Sequence, residues 1–66
     1  MELLILKSGL DYIRCKDGAF LRVGLDKASV FPMDRMMLVQ QHAEALKDLG
    51  FEGVSIKKLV LTEEDL

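Results

Sequence analysis

The chain has 66 residues, half of them apolar, and a formal net charge of −2. This length fits one domain, residues 1–66, and the slightly acidic balance lacks the basic excess expected of a nucleic-acid-binding protein. The sequence contains one cysteine and one histidine, which excludes an intrachain disulfide and a metal site built from several Cys and His ligands.

Two hairpins are predicted at the start of the chain. Three segments have the apolar content of strands: Leu3–Leu6, Leu10–Cys15 and Ala19–Leu25. The connections Lys7-Ser8-Gly9 and Lys16-Asp17-Gly18 both place glycine last, as in three-residue loops that need positive φ at the final residue. A two-residue Asp17-Gly18 loop would mix apolar and charged residues on each face, so we favour three-residue loops.

This register assigns the side chains to two faces of a sheet, because a strand alternates its side chains. One face is predicted to lie under a helix and carries Leu3, Ile5, Ile13, Cys15, Leu21 and Val23. The other face carries Leu4, Leu6, Leu10, Tyr12 and Phe20, with Glu2, Arg14 and Arg22 among them. Gly24 indicates a bulge or bend near the end of the third strand.

A helix is the clearest element farther along the chain. Residues 26–32 are predicted to form a connection, with a short extended piece at Val30-Phe31. Asp34 is predicted to cap the start of the helix, and Gly50 to end it in a left-handed conformation. Its predicted apolar face consists of Leu38, Val39, His42, Ala43, Ala45, Leu46 and Leu49.

A last strand is predicted from Gly53 to Leu61. Its apolar alternation slips at Lys57-Lys58, which indicates a bulge. An acidic end, Glu63-Glu64-Asp65, follows. The element order β-β-β-α-β predicts an α+β fold, in which one helix packs on one face of a small antiparallel sheet.

The residues offer no catalytic constellation. His42 is interpreted as a core residue with a polar or backbone partner, and Cys15 as a small buried side chain. Neither has an evident nucleophile, base or orienting group beside it. We therefore expect no enzymatic activity, no metal and no cofactor. The short apolar run at the N-terminus and the lone cysteine favour a cytoplasmic protein without a membrane segment.

The open sheet face carries the functional prediction. One helix covers one face, so a second apolar face indicates an interface with another copy or another protein. The predicted interface residues are Leu4, Leu6, Leu10, Tyr12, Arg14, Phe20 and Arg22. The alternative is a nucleic-acid surface, on which Tyr12 and Phe20 stack bases. A third interpretation is that the last strand, the 26–32 connection or the C-terminal end folds over this face.

Overall fold

The computed structural model describes residues 1–66 as a five-stranded antiparallel sheet with one helix packed against it. The elements are β1 (Glu2–Ser8), β2 (Asp11–Lys16), β3 (Ala19–Val23), β4 (Val30–Pro32), α1 (Met36–Asp48) and β5 (Val54–Val60). The predicted α+β fold is confirmed. The observed element order has one strand more than the predicted order, because the extended piece predicted at Val30-Phe31 pairs with β1 and forms β4.

Both hairpin loops have two residues, not three, so the predicted loop length is wrong. Ser8 pairs with Asp11 and Lys16 pairs with Ala19, which leaves Gly9-Leu10 and Asp17-Gly18 as the loops. Asp17 and Gly18 have φ values of 51° and 75°. Two successive positive φ values give the turn whose twist matches that of the paired strands, and aspartate tolerates this conformation.

The observed loops move β3 by one residue and β1 by three residues relative to β2. Both shifts are odd, so they reverse the predicted faces of both strands. Leu4 and Leu6 pack with Ile13 against α1, and Phe20 lies at the edge of this cluster. Leu21 pairs with Arg14, and Val23 with Tyr12, on the opposite face. The face prediction is therefore correct for β2 and wrong for β1 and β3.

β1 is the central strand of the sheet. β5 pairs with it along its whole length, from Glu2–Val60 to Ser8–Val54. Its other edge is shared, since β2 pairs with Lys7 and Ser8 while β4 pairs with residues 3–5. The ladder between β1 and β5 runs without interruption, so the predicted bulge at Lys57-Lys58 is wrong. Lys58 instead forms an ion pair with Glu2, at 3.2 Å between Nζ and Oε2.

The helix ends as predicted but starts differently. Gly50 has a φ of 91°, and the amide of Phe51 donates to the carbonyl of Leu46 at 3.0 Å, closing a Schellman motif. At the other end a 3₁₀ turn, Met33–Arg35, leads into α1, and the residue before the helix is Arg35. Asp34 lies inside this turn and is not the residue that caps α1. The 3₁₀ turn itself forms the first turn of the helical segment.

The core lies between α1 and the near face of the sheet. Val39, Ala43 and Leu46 of α1 pack against a cluster formed by Leu4, Leu6 and Ile13. The predicted flanking residues Leu38 and Leu49 remain exposed, so the buried helix stripe is narrower than predicted. The helix therefore covers the middle of one face and leaves the opposite face, called here the outer face, without a second layer.

Candidate interaction surface

The outer face is the side of the sheet turned away from α1. Strand register places nine apolar residues on it, because directly paired residues share a face: Leu3, Ile5, Tyr12, Ala19, Leu21, Val23, Val30, Pro32 and Leu59. Ile5, at its centre, is 2% exposed, whereas Leu21 and Val30 are 45% and 46% exposed. The outer face thus combines a covered centre with an open apolar margin.

The connection from β3 to β4 crosses part of the outer face. β3 lies beside one edge of β2, and Ser29 lies beside the other, where its amide donates to the carbonyl of Ile13 at 3.1 Å. Residues 26–29 share a cleft of about 470 Å³ with Arg14 and Lys16, which belong to the outer face of β2. The hypothesis that the 26–32 connection covers this face thus applies to β2, while Leu21 of β3 stays uncovered.

The structure separates the seven residues predicted as an interface. Leu4 and Leu6 are 1% and 0% exposed in the core, and Phe20 also faces the helix. Only Tyr12 and Arg14 lie on the outer face. The prediction of a shared open face for these residues is wrong, because a change in register by an odd number of residues moves a whole strand's side chains across the sheet.

The two remaining members of that predicted set have other surroundings. Leu10 is at the tip of the first hairpin and is 94% exposed. The Arg22 guanidinium lies on the helix side, 4.6 Å from the centre of the Phe51 ring. It donates to Ser8 Oγ at 3.2 Å and forms an ion pair with Asp11 at 3.5 Å. Arg22 therefore covers one end of the core on the helix side, and it does not lie on the outer face.

The aromatic residues do not form one stacking platform. Tyr12 lies on the outer face beneath Lys7, whose Nζ is 4.8 Å from the ring centre. Phe20 lies on the helix side, where its ring meets His42 edge-on at a centroid distance of 5.6 Å. A single strand of nucleic acid cannot stack on both rings from one side of the sheet, so the geometry required by the nucleic-acid hypothesis is not formed by these two residues.

His42 and Cys15 meet at one cleft, of about 380 Å³, beside the second hairpin loop. His42 lies between the rings of Phe20 and Phe31, at 5.6 and 5.8 Å, and these rings replace the polar partner that was predicted. Cys15 is half-buried, and its backbone amide donates to Ser29 Oγ at 2.8 Å. Burial raises the pKa of the Cys15 thiol, and a hydrogen bond with Ser29 partly offsets this rise.

Cys15 should therefore alkylate as a weakly acidic thiol. Because the thiolate is the reactive form, a raised pKa moves the midpoint of the pH–rate profile upward. We expect the midpoint for iodoacetamide, followed by mass spectrometry across a pH series, to be higher in the folded protein than in the urea-unfolded chain. A folded midpoint equal to or below the unfolded one would contradict the predicted effect of burial.

Comparison with protein-family models, curated proteins and solved structures finds no match to this chain. The helix of this protein lacks the length and apolar character needed to cross a bilayer. The outer face and the exposed strand β3 therefore have to be interpreted from their own geometry.

Proposed function

We propose that the protein is a small protein-interaction module that self-associates, with the outer face of the sheet forming part of the contact between copies. One observation carries this proposal. Half of the chain is apolar, yet only seven apolar residues are fully buried. On the outer face Leu21 remains almost half exposed beside Ala19 and Val23 of the same strand, and exposed apolar surface on a sheet is typical of interfaces.

The accessible area supports the same conclusion. A compact monomer of 7.4 kDa exposes about 4,200 Å² by the usual scaling of area with mass. This chain exposes 4965 Å², and its exposed residues 61–66 supply part of the difference. Interfaces of standard size bury about 800 Å² on each partner. Association of two copies would therefore bring the exposed area of each into the range of compact proteins.

A second copy is the simplest occupant of this surface. A domain of this size buries about 60% of its unfolded surface and gains substantially from oligomerisation. Two-fold association brings the same patch of each copy together, so an apolar patch is complementary to itself. Around Leu21 the outer face presents Ala19 and Val23 as the other side chains of β3, and both are uncharged, while Arg14 faces Leu21 from β2.

The proposal is tested by the mass of the protein in solution. We expect sedimentation equilibrium to give about twice the 7.4 kDa of one chain at high concentration, with dissociation on dilution. A monomer at every concentration would overturn the proposal. If that monomer also bound a fluorescent oligonucleotide with a steep dependence on salt, the nucleic-acid alternative would replace it.

Leu21→Lys should weaken association while the monomer stays folded. Leu21 is 45% exposed in the single chain, so a lysine reaches solvent there without entering the core. We expect the association constant to fall about tenfold or more, from lost apolar burial and charge repulsion at the contact. Leu49→Lys is the matched control, because Leu49 is 66% exposed on the helix side. Equal weakening by both substitutions would argue against a contact on the outer face.

A further inference from the structure

β3 is an edge strand with one side unpaired, since the sheet order begins at β3 and continues to β2. Its hairpin partner determines which backbone groups point outward. Lys16 and Ala19 flank the two-residue loop and exchange hydrogen bonds, and bonded and non-bonded pairs alternate from there. Leu21 therefore bonds to β2, whereas the N–H and C=O groups of Phe20 and Arg22 point to the open edge.

The other long edge strand, β5, is protected against pairing with itself. Lys57 and Lys58 lie at its centre. Antiparallel pairing of two copies about the strand centre would place lysines opposite lysines, in either of the two central registers. Central lysines are a common device that blocks edge-to-edge association. The edge of β3 has no such protection, because its only charged residue is Arg22.

We propose that two copies of this chain join their β3 strands in antiparallel pairing about a two-fold axis at Leu21, forming one continuous sheet. This inference rests on the proposed self-association and specifies its geometry. In this register Leu21 faces Leu21 of the second copy, and Phe20 faces Arg22 of the second copy. The outward N–H and C=O groups of those two residues then exchange hydrogen bonds, twice by symmetry.

The side chains of β3 fit this register on both faces. On the outer face the two half-exposed Leu21 side chains meet, flanked by Ala19 opposite Val23. On the helix side each Arg22 guanidinium meets the Phe20 ring of the other copy, a pairing that cation–π attraction favours. Arg22 already has a ring, that of Phe51, within 4.6 Å in its own chain. A register centred on Arg22 would instead oppose two arginines.

A charge exchange at Leu21 tests the two-fold register directly. Leu21→Lys and Leu21→Glu each place like charges at the axis, so each variant alone should associate about tenfold or more weakly than the wild type. Mixed in equal amounts, they should form a heterodimer, because lysine then faces glutamate. Sedimentation measures the mass in each case, and circular dichroism checks that each variant is folded.

The outcomes separate this inference from the proposed function. A wild-type monomer at all concentrations overturns both. A wild-type dimer whose two Leu21 variants dissociate but do not combine overturns the pairing of β3 and leaves self-association standing. The pairing is also overturned if Val30→Lys weakens association as much as Leu21→Lys, because Val30 lies on β4, away from the β3 edge, and would be buried only if outer faces stacked.

A backbone substitution provides an independent test of the edge. Arg22→Pro removes an N–H that points away from β2, so the hairpin ladder is retained, as for proline elsewhere on edge strands. Arg22→Ala is the matched control, because it removes the same side chain and keeps the N–H. We expect the proline variant to be monomeric where the alanine variant still dimerises. Dimers of equal stability in both folded variants would overturn edge pairing.

Discussion

Leu6→Ala is expected to lower the free energy of unfolding by about 3 kcal/mol, as large-to-small substitutions in packed cores do. Leu6 is 0% exposed and belongs to the cluster that α1 covers. Its removal leaves a cavity that the neighbouring side chains fill only partly. In a domain with a core this small, such a loss is a large share of the total stability.

Leu10→Ala is the matched control for this substitution. Leu10 is 94% exposed at the tip of the first hairpin, so its truncation should change the free energy of unfolding by less than about 0.5 kcal/mol. Urea denaturation followed by circular dichroism measures both variants, at one protein concentration because association adds to stability. Similar losses for the two would contradict the strand phase and return Leu6 and Leu10 to one face, as sequence analysis predicted.

The sequence did not determine the phase of β1. Leu3, Leu4, Ile5 and Leu6 are all apolar, so the strand has no alternation that distinguishes one face from the other. Its predicted faces depend on the first loop, which is predicted at residues 7–9 and observed at Gly9-Leu10. The resulting register error of three residues is odd and therefore reverses the faces. The second hairpin, which sets the phase of β3, carries a signal for the shorter loop, because Asp17-Gly18 between two apolar strands is a strong indicator of a two-residue turn.

The unbroken apolar run also carries information about position. A strand covered on both faces needs no polar alternation, and β1 has Ile5 at 2% exposure on one face with Leu4 and Leu6 buried on the other. The run therefore indicates the central strand of the sheet. The sequence predicts β1 as one strand of the first hairpin, and it does not predict that β4 and β5 also pair with it.

Sequence patterns predict features set by neighbouring residues better than features set by residues distant in the chain. The end of α1 is set by Leu46, Gly50 and Phe51, which lie within six successive residues, and the predicted Schellman motif is confirmed. The slip in alternation at Lys57-Lys58 has a distant cause, the pairing of Lys58 with Glu2 across the β1–β5 ladder. No local pattern distinguishes such a partner from a bulge.

For the candidate surface, too, one part was predictable from the sequence and another part depended on distant pairing. That the face opposite the helix carries apolar residues was predictable from composition, because half the chain is apolar and one helix covers one face. Which residues occupy it depended on register. Leu21 was assigned to the core and is exposed, whereas Leu6 was assigned to the open face and is buried. Register errors of three residues in β1 and one residue in β3 thus exchanged core and surface in these strands.

Gly53→Ala is expected to lower the free energy of unfolding by about 2–3 kcal/mol, from two separate causes. Gly53 has a φ of +61°, where a Cβ atom is strained. A Cβ at Gly53 would also lie 3.1 Å from the nitrogen and 3.3 Å from the Cα of Gly9. This approach includes a hydrogen bond, since the Gly9 amide donates to the Gly53 carbonyl at 3.1 Å. Backbone atoms cannot move aside as a side chain can.

Gly50→Ala separates the two causes, because Gly50 also has positive φ but a Cβ there would meet nothing within 4 Å. It should lose about 1 kcal/mol, the conformational cost alone. The additional loss of unfolding free energy in Gly53→Ala then measures the cost of moving the first hairpin away from the new Cβ atom. Ser8 holds the same junction, since its hydroxyl donates to the Glu52 carbonyl at 2.6 Å. Equal losses of unfolding free energy for the two variants in urea denaturation would mean that the hairpin moves away at no cost. The close approach of Gly9 and Gly53 would then not hold the end of β1 to the start of β5.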